Sequence, residues 1–300
     1  HLYSEEEKQE ELSRNPNTKY IDVYPKTILN KVTSPDLGMG WSMNPYQGCE
    51  HGCIYCYARN SHEYWGFSAG LDFESKIMVK PSAPQLLREY FMRRNYKPEP
   101  IMLSGNTDCY QPVEQKMQIT REILKVFLEC KHPVGIITKN ALILRDLDIL
   151  KELAAHNLVH VAISITTLDS DLQRRMEPRT SLPSKRLDAV YRLSQAGVPV
   201  MVMQAPVIPW LTDVETPKLI KACAEAGALE AEAETQAEDQ GEEGGAQGHR
   251  DRSHGQRPSL TIRRRRRSAL RAALLSTSSR AASSRALARA RSAFAAAASA

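Results

Sequence analysis

The sequence predicts an α/β fold built on a parallel sheet, with a low-complexity tail behind it. Three observations predict this. Short apolar runs of strand length alternate with amphipathic helical stretches, polar residues close the apolar runs, and composition changes sharply near Leu229.

Taken in order, Ile101–Leu103 is a short apolar strand ending in Ser104-Gly105-Asn106-Thr107-Asp108. A helix follows over 114–131, with Ile119, Ile123, Val126 and Phe127 at helical spacing. Val134–Thr138 is the next strand, closed by Lys139 and Asn140, and 145–156 is a helix with Leu147, Leu150, Leu153 and Ala154 on one side. Residues 159–165 form a strand, and 184–196 a helix with Ser184 as N-cap and Gly197 past its end. Residues 198–208 are a long apolar strand. Thr216 caps a last helix, Pro217 opens it and Gly227 stops it. Such repeats curl into a barrel or an open sheet, and ligands sit at the C-terminal strand ends.

Three hundred residues suffice for one large domain or two small ones. No apolar run is long enough to span a membrane, and 2–14 is acidic without a signal-peptide core, so a cytoplasmic protein is expected. The net charge of +5 belongs wholly to the tail: the first 228 residues carry 27 basic and 27 acidic residues. That balance offers no electrostatic case for nucleic acid. The organisation expected is an N-terminal extension over 1–40, a core over 41–228, and a tail over 229–300. The tail loses Lys, Met, Tyr and Trp and is rich in Arg, Ala, Ser and Gly, with a basic run over 263–267. It has too little large apolar surface to offset chain entropy. A GC-rich gene read in the wrong frame gives this composition; a natural disordered basic tail is the other reading.

The chemistry is signalled by Asn44-Pro45-Tyr46-Gln47-Gly48-Cys49-Glu50-His51-Gly52-Cys53-Ile54-Tyr55-Cys56. Its cysteines are spaced C-x3-C-x2-C. Three thiolates on one short loop can wrap a compact metal centre, and Gly48 and Gly52 allow tight turns around it. Iron–sulfur clusters take Cys thiolates, four for a closed [4Fe–4S] site, so three leave one iron open. Structural zinc, with His51 or His62 as fourth ligand, is the alternative. Cys109, Cys130 and Cys223 lie apart and suit buried thiols.

At this loop the chain resembles the radical S-adenosylmethionine (SAM) superfamily, whose signature is this spacing with an aromatic, here Tyr55, before the third cysteine. It is further similar to the spore photoproduct lyase-like group, often labelled DNA repair photolyase. The shared stretches are Thr107-Asp108, Ile137-Thr138-Lys139, Ile163-Ser164-Ile165, Glu177-Pro178-Arg179-Thr180-Ser181, Lys185-Arg186-Leu187 and Ala205-Pro206-Val207. The resemblance runs from about residue 20 to 227. It implies a partial (β/α)6 barrel. Only five strand–helix units are countable, so the chain is expected to lack its last strand.

The resemblance also implies a [4Fe–4S] cluster on Cys49, Cys53 and Cys56, with SAM bound at the open iron. Reductive cleavage of SAM would give a 5′-deoxyadenosyl radical that abstracts hydrogen from a substrate. Tyr55 would lie against the adenine, Asn106 near the amino-acid end, Lys139 on the carboxylate, and Ser164 on the ribose or carboxylate. The plainer alternatives are a packing tyrosine, a turn asparagine, a solvated lysine and a small core serine. Glu177 and Arg179 are SAM or substrate contacts or a surface ion pair. A one-electron donor such as a flavodoxin or ferredoxin, and a nucleic-acid substrate, are the implied partners, with no membrane. The lyase-like group has a hydrogen-donating cysteine where this chain has Gly105; Cys109 is the candidate to replace it. The competing readings are a non-catalytic zinc or iron–sulfur module and an inactive truncated product.

Overall fold

Parallel neighbours need right-handed crossovers, so strands that alternate with helices wind in one direction. The computed structural model describes residues 18–33, 40–94, 96–235 and 260–263. Its strands are β1 Lys19–Asp22, β2 Leu29–Lys31, β3 Trp41–Met43, β4 Tyr46–Gln47, β5 Lys76–Val79, β6 Ile101–Leu103, β7 Val134–Thr138, β8 Val159–Ser164, β9 Val200–Val207, β10 Glu230–Thr235 and β11 Leu260–Arg263. The large sheet has the order β11-β10-β9-β8-β7-β6-β3-β2. Its six inner strands, β3 and β6 to β10, pair in parallel, while β2 and β11 close its edges antiparallel. A small sheet, β1-β5-β4, stands beside it.

The core lies under the parallel strands. Ile101, Leu103, Val134, Ile136, Val159, Val161, Ile163, Val200 and Val202 are buried with the apolar faces of helices Ile119–Glu129, Leu147–Ala155 and Pro183–Gln195. Each such side chain contributes about 1.5–3 kcal/mol.

The helix expected over 114–131 is two, Glu114–Met117 and Ile119–Glu129, hinged at Gln118 with φ 54°. Glu114 explains the break. Its buried carboxylate accepts the Thr120 amide at 2.9 Å and Arg145 at 2.6 Å, and takes the Tyr46 hydroxyl, so it caps the second helix. The helix expected over 145–156 begins as a 3₁₀ turn, Ala141–Asp146, whose N-cap Asn140 accepts the Leu142 amide. Ser184 is not a cap: the helix Pro183–Gln195 starts one residue earlier, with Pro183 in its first turn.

The sheet does not lack its sixth strand. Helix Thr216–Glu225 ends before Gly227, whose φ of 96° turns the chain back, and β10 then runs parallel to β9. Glu230 to Glu232 alternate Glu and Ala, so Ala231 is buried while its charged neighbours stay partly exposed. This alternation was hidden in a stretch read only for its bulk composition. Residues 1–17, 236–259 and 264–300, including most of the basic run, lie outside the described residues.

Beneath the sheet, buried His132 stacks on Phe91 with ring centroids 4.4 Å apart. Its Nδ1 donates to the Pro133 carbonyl and its Nε2 accepts from the Tyr96 hydroxyl, which fixes the neutral ring. Burial pushes its pKa down to about 3. The unfolded chain binds this proton below about pH 6.5, so the contribution is complete above that value and is lost as pH falls towards 3. Urea midpoints taken from pH 7 to pH 4 are expected to fall less steeply in His132→Phe than in the wild-type chain. Equal slopes would exclude His132 as the titrating group.

Candidate cluster and SAM site

The cysteine loop leaves β3 and is laced to its surroundings by polar residues. Asn44 Oδ1 accepts the amides of Asn106 and Thr107 at 2.9 and 3.2 Å, and Thr107 Oγ1 donates to the Tyr46 carbonyl at 2.6 Å. Gln111 donates to the Gly48 carbonyl and accepts the Glu50 amide, and the Glu50 carboxylate accepts the Val113 amide at 2.7 Å. Gly48 has φ 79°, and a Cβ there would sit 2.9 Å from the Phe73 carbonyl and 3.0 Å from that of Lys76. A side chain is therefore excluded both by backbone conformation and by space.

Cys49 and Cys53 are buried and Cys56 is half-buried. Burial, then Asp108 and the two neighbouring cysteines, holds the Cys49 thiol well above its ordinary range. Burial and Glu177 push Cys53 up to about 12, and burial raises Cys56. Three neighbouring, desolvated thiols that oppose one another's ionisation suit a multiply charged metal centre that takes all three as thiolates. Iron–sulfur clusters are held by cysteine thiolates, and three cysteines on one loop are a donor set of that chemistry.

Lys139, Ser164 and Tyr55 come together beside the loop. Lys139 Nζ donates to Ser164 Oγ at 2.6 Å and lies 5.8 Å from the Tyr55 ring centroid. Lys139 follows β7, Ser164 ends β8 and Tyr55 precedes Cys56, so residues at two C-terminal strand ends meet the cysteine loop. Among the described residues no carboxylate forms an ion pair with Lys139; its ammonium meets a hydroxyl and a ring face and is near enough to Glu177 to lower that carboxyl's pKa. Asn106 Nδ2 donates to Ser61 Oγ at 3.1 Å. Cys109 is fully buried in the main hydrophobic core, whereas Cys49 and Cys56 pack in a separate small cluster with Ala58 and Phe73. Its position is that of a core thiol.

Glu177 and Arg179 are not a surface ion pair. Glu177 is fully buried, paired with Arg186 at 2.5 Å, and accepts from Thr166 at 2.6 Å and from the Tyr55 hydroxyl. Burial would raise its carboxyl, yet Arg186, Lys139 and these hydrogen bonds hold it down at about 2. Burial and Glu177 keep the Tyr55 phenol protonated. Arg179 turns the other way, onto the Glu50 carbonyl and Glu74.

Two functional positions carry no such role in the sequence reading. Asp108 accepts Thr138 Oγ1 and the amides of Tyr110 and Lys139 at 2.8 Å each, and its Oδ2 lies 3.4 Å from His51 Nδ1. It therefore joins the cysteine loop to the end of β7. Burial pushes His51 down to about 4, against the pull of Asp108, so its ring is neutral at pH 7. Glu74, on the short helix Asp72–Ser75, is the second, and no spacing or motif marks it.

The sequence profile of the radical SAM superfamily matches residues 43–223. That match covers more than half of the chain, and the chain belongs to the radical SAM superfamily. An uncharacterised protein of Mycobacterium tuberculosis is 36% identical over 212 residues, covering 70% of this chain and 62% of that protein. The chain thus spans less than two thirds of that relative's length. An uncharacterised protein of Methanocaldococcus jannaschii is 29% identical over 201 residues, covering 67% of this chain and 72% of that one. Among solved structures, a mutant spore photoproduct lyase with bound AdoMet and dinucleoside spore photoproduct superposes with a TM-score of 0.54 at 15% identity. The match covers 69% of this chain and 57% of that one and establishes the shared fold. Among the described residues no helix is long and apolar enough to cross a membrane.

Proposed function

We propose that this chain is a radical SAM enzyme whose Cys49, Cys53 and Cys56 hold a [4Fe–4S] cluster and whose strand ends bind SAM. The observation that carries the reading is Lys139: a cation at the end of β7, beside the cysteine loop, held by Ser164 and without a carboxylate partner among the described residues. A compact ammonium suits a free carboxylate such as that of the methionine half of SAM. With cluster and SAM bound, the site would supply reductive cleavage of SAM to methionine and a 5′-deoxyadenosyl radical.

The chain's own residues bind and orient. Lys139 neutralises the carboxylate and Ser164 offers a second polar contact. Tyr55 presents its ring while Glu177 and Thr166 fix its hydroxyl. Asp108 holds the Lys139 amide and lies 3.4 Å from His51 Nδ1 of the cysteine loop, bringing the end of β7 close to that loop. Asn106 supports the loop through Asn44 and Ser61. The catalytic unit is the core over 41–228 together with β10, and its electron donor is a flavodoxin- or ferredoxin-like protein.

A nucleic-acid or other macromolecular substrate is supported by the spore photoproduct lyase likeness and by exposed Ile54 and Tyr57 beside the second and third cysteines. Thymine-dimer repair is not inherited. Gly105 offers no thiol, and a Cβ there would meet the Ser42 Cβ at 3.1 Å.

Anaerobic reconstitution followed by SAM and dithionite tests the reading: 5′-deoxyadenosine and methionine are the expected products. Zinc uptake without sulfide, or no SAM cleavage by an iron-loaded chain, would overturn it. In Lys139→Met the cluster absorbance is expected to persist while SAM binds about 10- to 150-fold more weakly, the weight of a charge-assisted hydrogen bond of about 1.5–3 kcal/mol. Equilibrium dialysis with labelled SAM measures this, and unchanged affinity would remove Lys139 from the site.

A further inference from the structure

We propose that Arg59, Glu74 and Arg179 form a clamp that pre-organises the backbone of the cysteine loop for its cluster; this rests on the cluster reading above. One carboxylate fastens two guanidinium groups: Glu74 Oε1 accepts from Arg59 Nη2 at 2.8 Å, and Oε2 accepts from Arg179. Each guanidinium also holds a carbonyl of the loop. Arg59 donates to the Cys53 carbonyl through Nη2 at 3.0 Å and Nε at 3.3 Å, and Arg179 Nε donates to the Glu50 carbonyl. The pinned segment therefore runs from Glu50 to Cys53, between the first two cysteines.

The clamp is anchored on both sides. Arg59 also donates to the Gly70 carbonyl at 3.0 Å and lies 5.6 Å from the Phe73 ring centroid. Phe73 in turn packs with Cys49, and its carbonyl accepts the Cys49 amide at 2.8 Å. On the other side, the Arg179 amide donates to the His51 carbonyl at 3.3 Å and the Ile54 amide to the Met176 carbonyl at 3.0 Å. The chain after β8 is thereby stitched to the cysteine loop across more than a hundred residues of sequence. All three side chains are largely buried, at 14–18% exposure, so their pairing is poorly screened by water.

Gly52 fits this geometry. Its φ is +66°, and a Cβ there would overlap the Arg179 guanidinium and the Glu74 carboxylate. The glycine both turns the loop and leaves room for the clamp. A free loop loses about 1–2 kcal/mol per residue on being ordered, and a loop already ordered spares the incoming cluster that loss. The three residues are positioning residues; none has its own place among the cluster ligands.

The test uses the full chain in apo and reconstituted forms, with Arg59→Ala, Arg179→Ala and Glu74→Gln. In the apo chain, amide hydrogen exchange over 49–56 is expected to accelerate in each variant while the amides of β6 to β9 keep their protection. In the reconstituted chain, loss of iron to a chelator is expected to run about 10- to 100-fold faster, the range typical for groups that orient metal ligands. Arg179→Lys, which keeps one charge but not the fork, is expected to fall between wild type and Arg179→Ala. If Arg179→Ala does not fold, the near-isosteric Glu74→Gln carries the test. Wild-type exchange and wild-type iron retention in Glu74→Gln and Arg59→Ala would overturn the clamp. Failure of the wild-type chain to take up iron and sulfide would instead overturn the cluster reading, and apo exchange alone would then decide the clamp.

Discussion

Cys53→Ala is expected to abolish 5′-deoxyadenosine formation and to remove most of the iron from the reconstituted chain. The reason is arithmetic of ligands: a cluster on three protein thiolates already has one open iron, and a second opening leaves it held by two. Cys53 is buried, and its charge is opposed by Glu177 and Cys56 unless a metal takes it up. The same change at Cys109, Cys130 or Cys223 is expected to leave the iron content at the wild-type level, because these thiols are buried in the main core. Iron and sulfide analysis of the four variants, with absorbance and the reduced-state paramagnetic signal, separates the two groups. Full iron in Cys53→Ala, or its loss in Cys109→Ala, would reverse the assignment of ligand and core thiol.

Glu177→Gln is expected to lower stability by about 3–5 kcal/mol, the range for breaking a buried ion pair by removing one partner. Arg186 is 1% exposed, so its charge would be left buried without a partner. Its Nε donates to the Ser181 carbonyl at 2.7 Å and its Nη1 to the Ser164 carbonyl at 2.9 Å, while Glu177 balances its charge. Gln retains a hydrogen-bonding shape and loses the balance. The pH dependence carries the same signature. The Glu177 carboxyl is held at about 2, below its unfolded value near 4.3, so its contribution is complete above that value and is lost as pH falls towards 2. Urea titrations between pH 6 and pH 2 should therefore show a steep loss in the wild type and a shallower one in Glu177→Gln. A variant within about 1 kcal/mol of wild type would mean that Arg186 finds its balance elsewhere.

Much of the fold was legible because its signals are local. Apolar strands and amphipathic helices leave short-range patterns, and β6 to β9 lie within a residue or two of where those patterns end. Lys139 and Ser164 could be placed at strand ends because a strand terminus is itself a sequence feature. The misses have non-local causes. Gln118 breaks a good helical pattern because Glu114 turns to meet Tyr46 and Arg145, which are distant in sequence. Arg186 and Glu177 look like surface charges until the chain folds them against each other. Glu74 carries no mark, since what defines it is the meeting of Arg59 and Arg179. The strand β10 was missed for the opposite reason: a local alternation was present but was averaged into the composition around it.

That sixth strand decides what happens at the open side of the barrel. β9 is eight residues long, and with β10 absent its outer row of amides and carbonyls would face solvent as an adhesive strip for another copy. The six residues of β10 act as weatherproofing for the sheet: they cover that row of β9, the alanine at 231 seats against the wall, and β11 shields the far side of the strip.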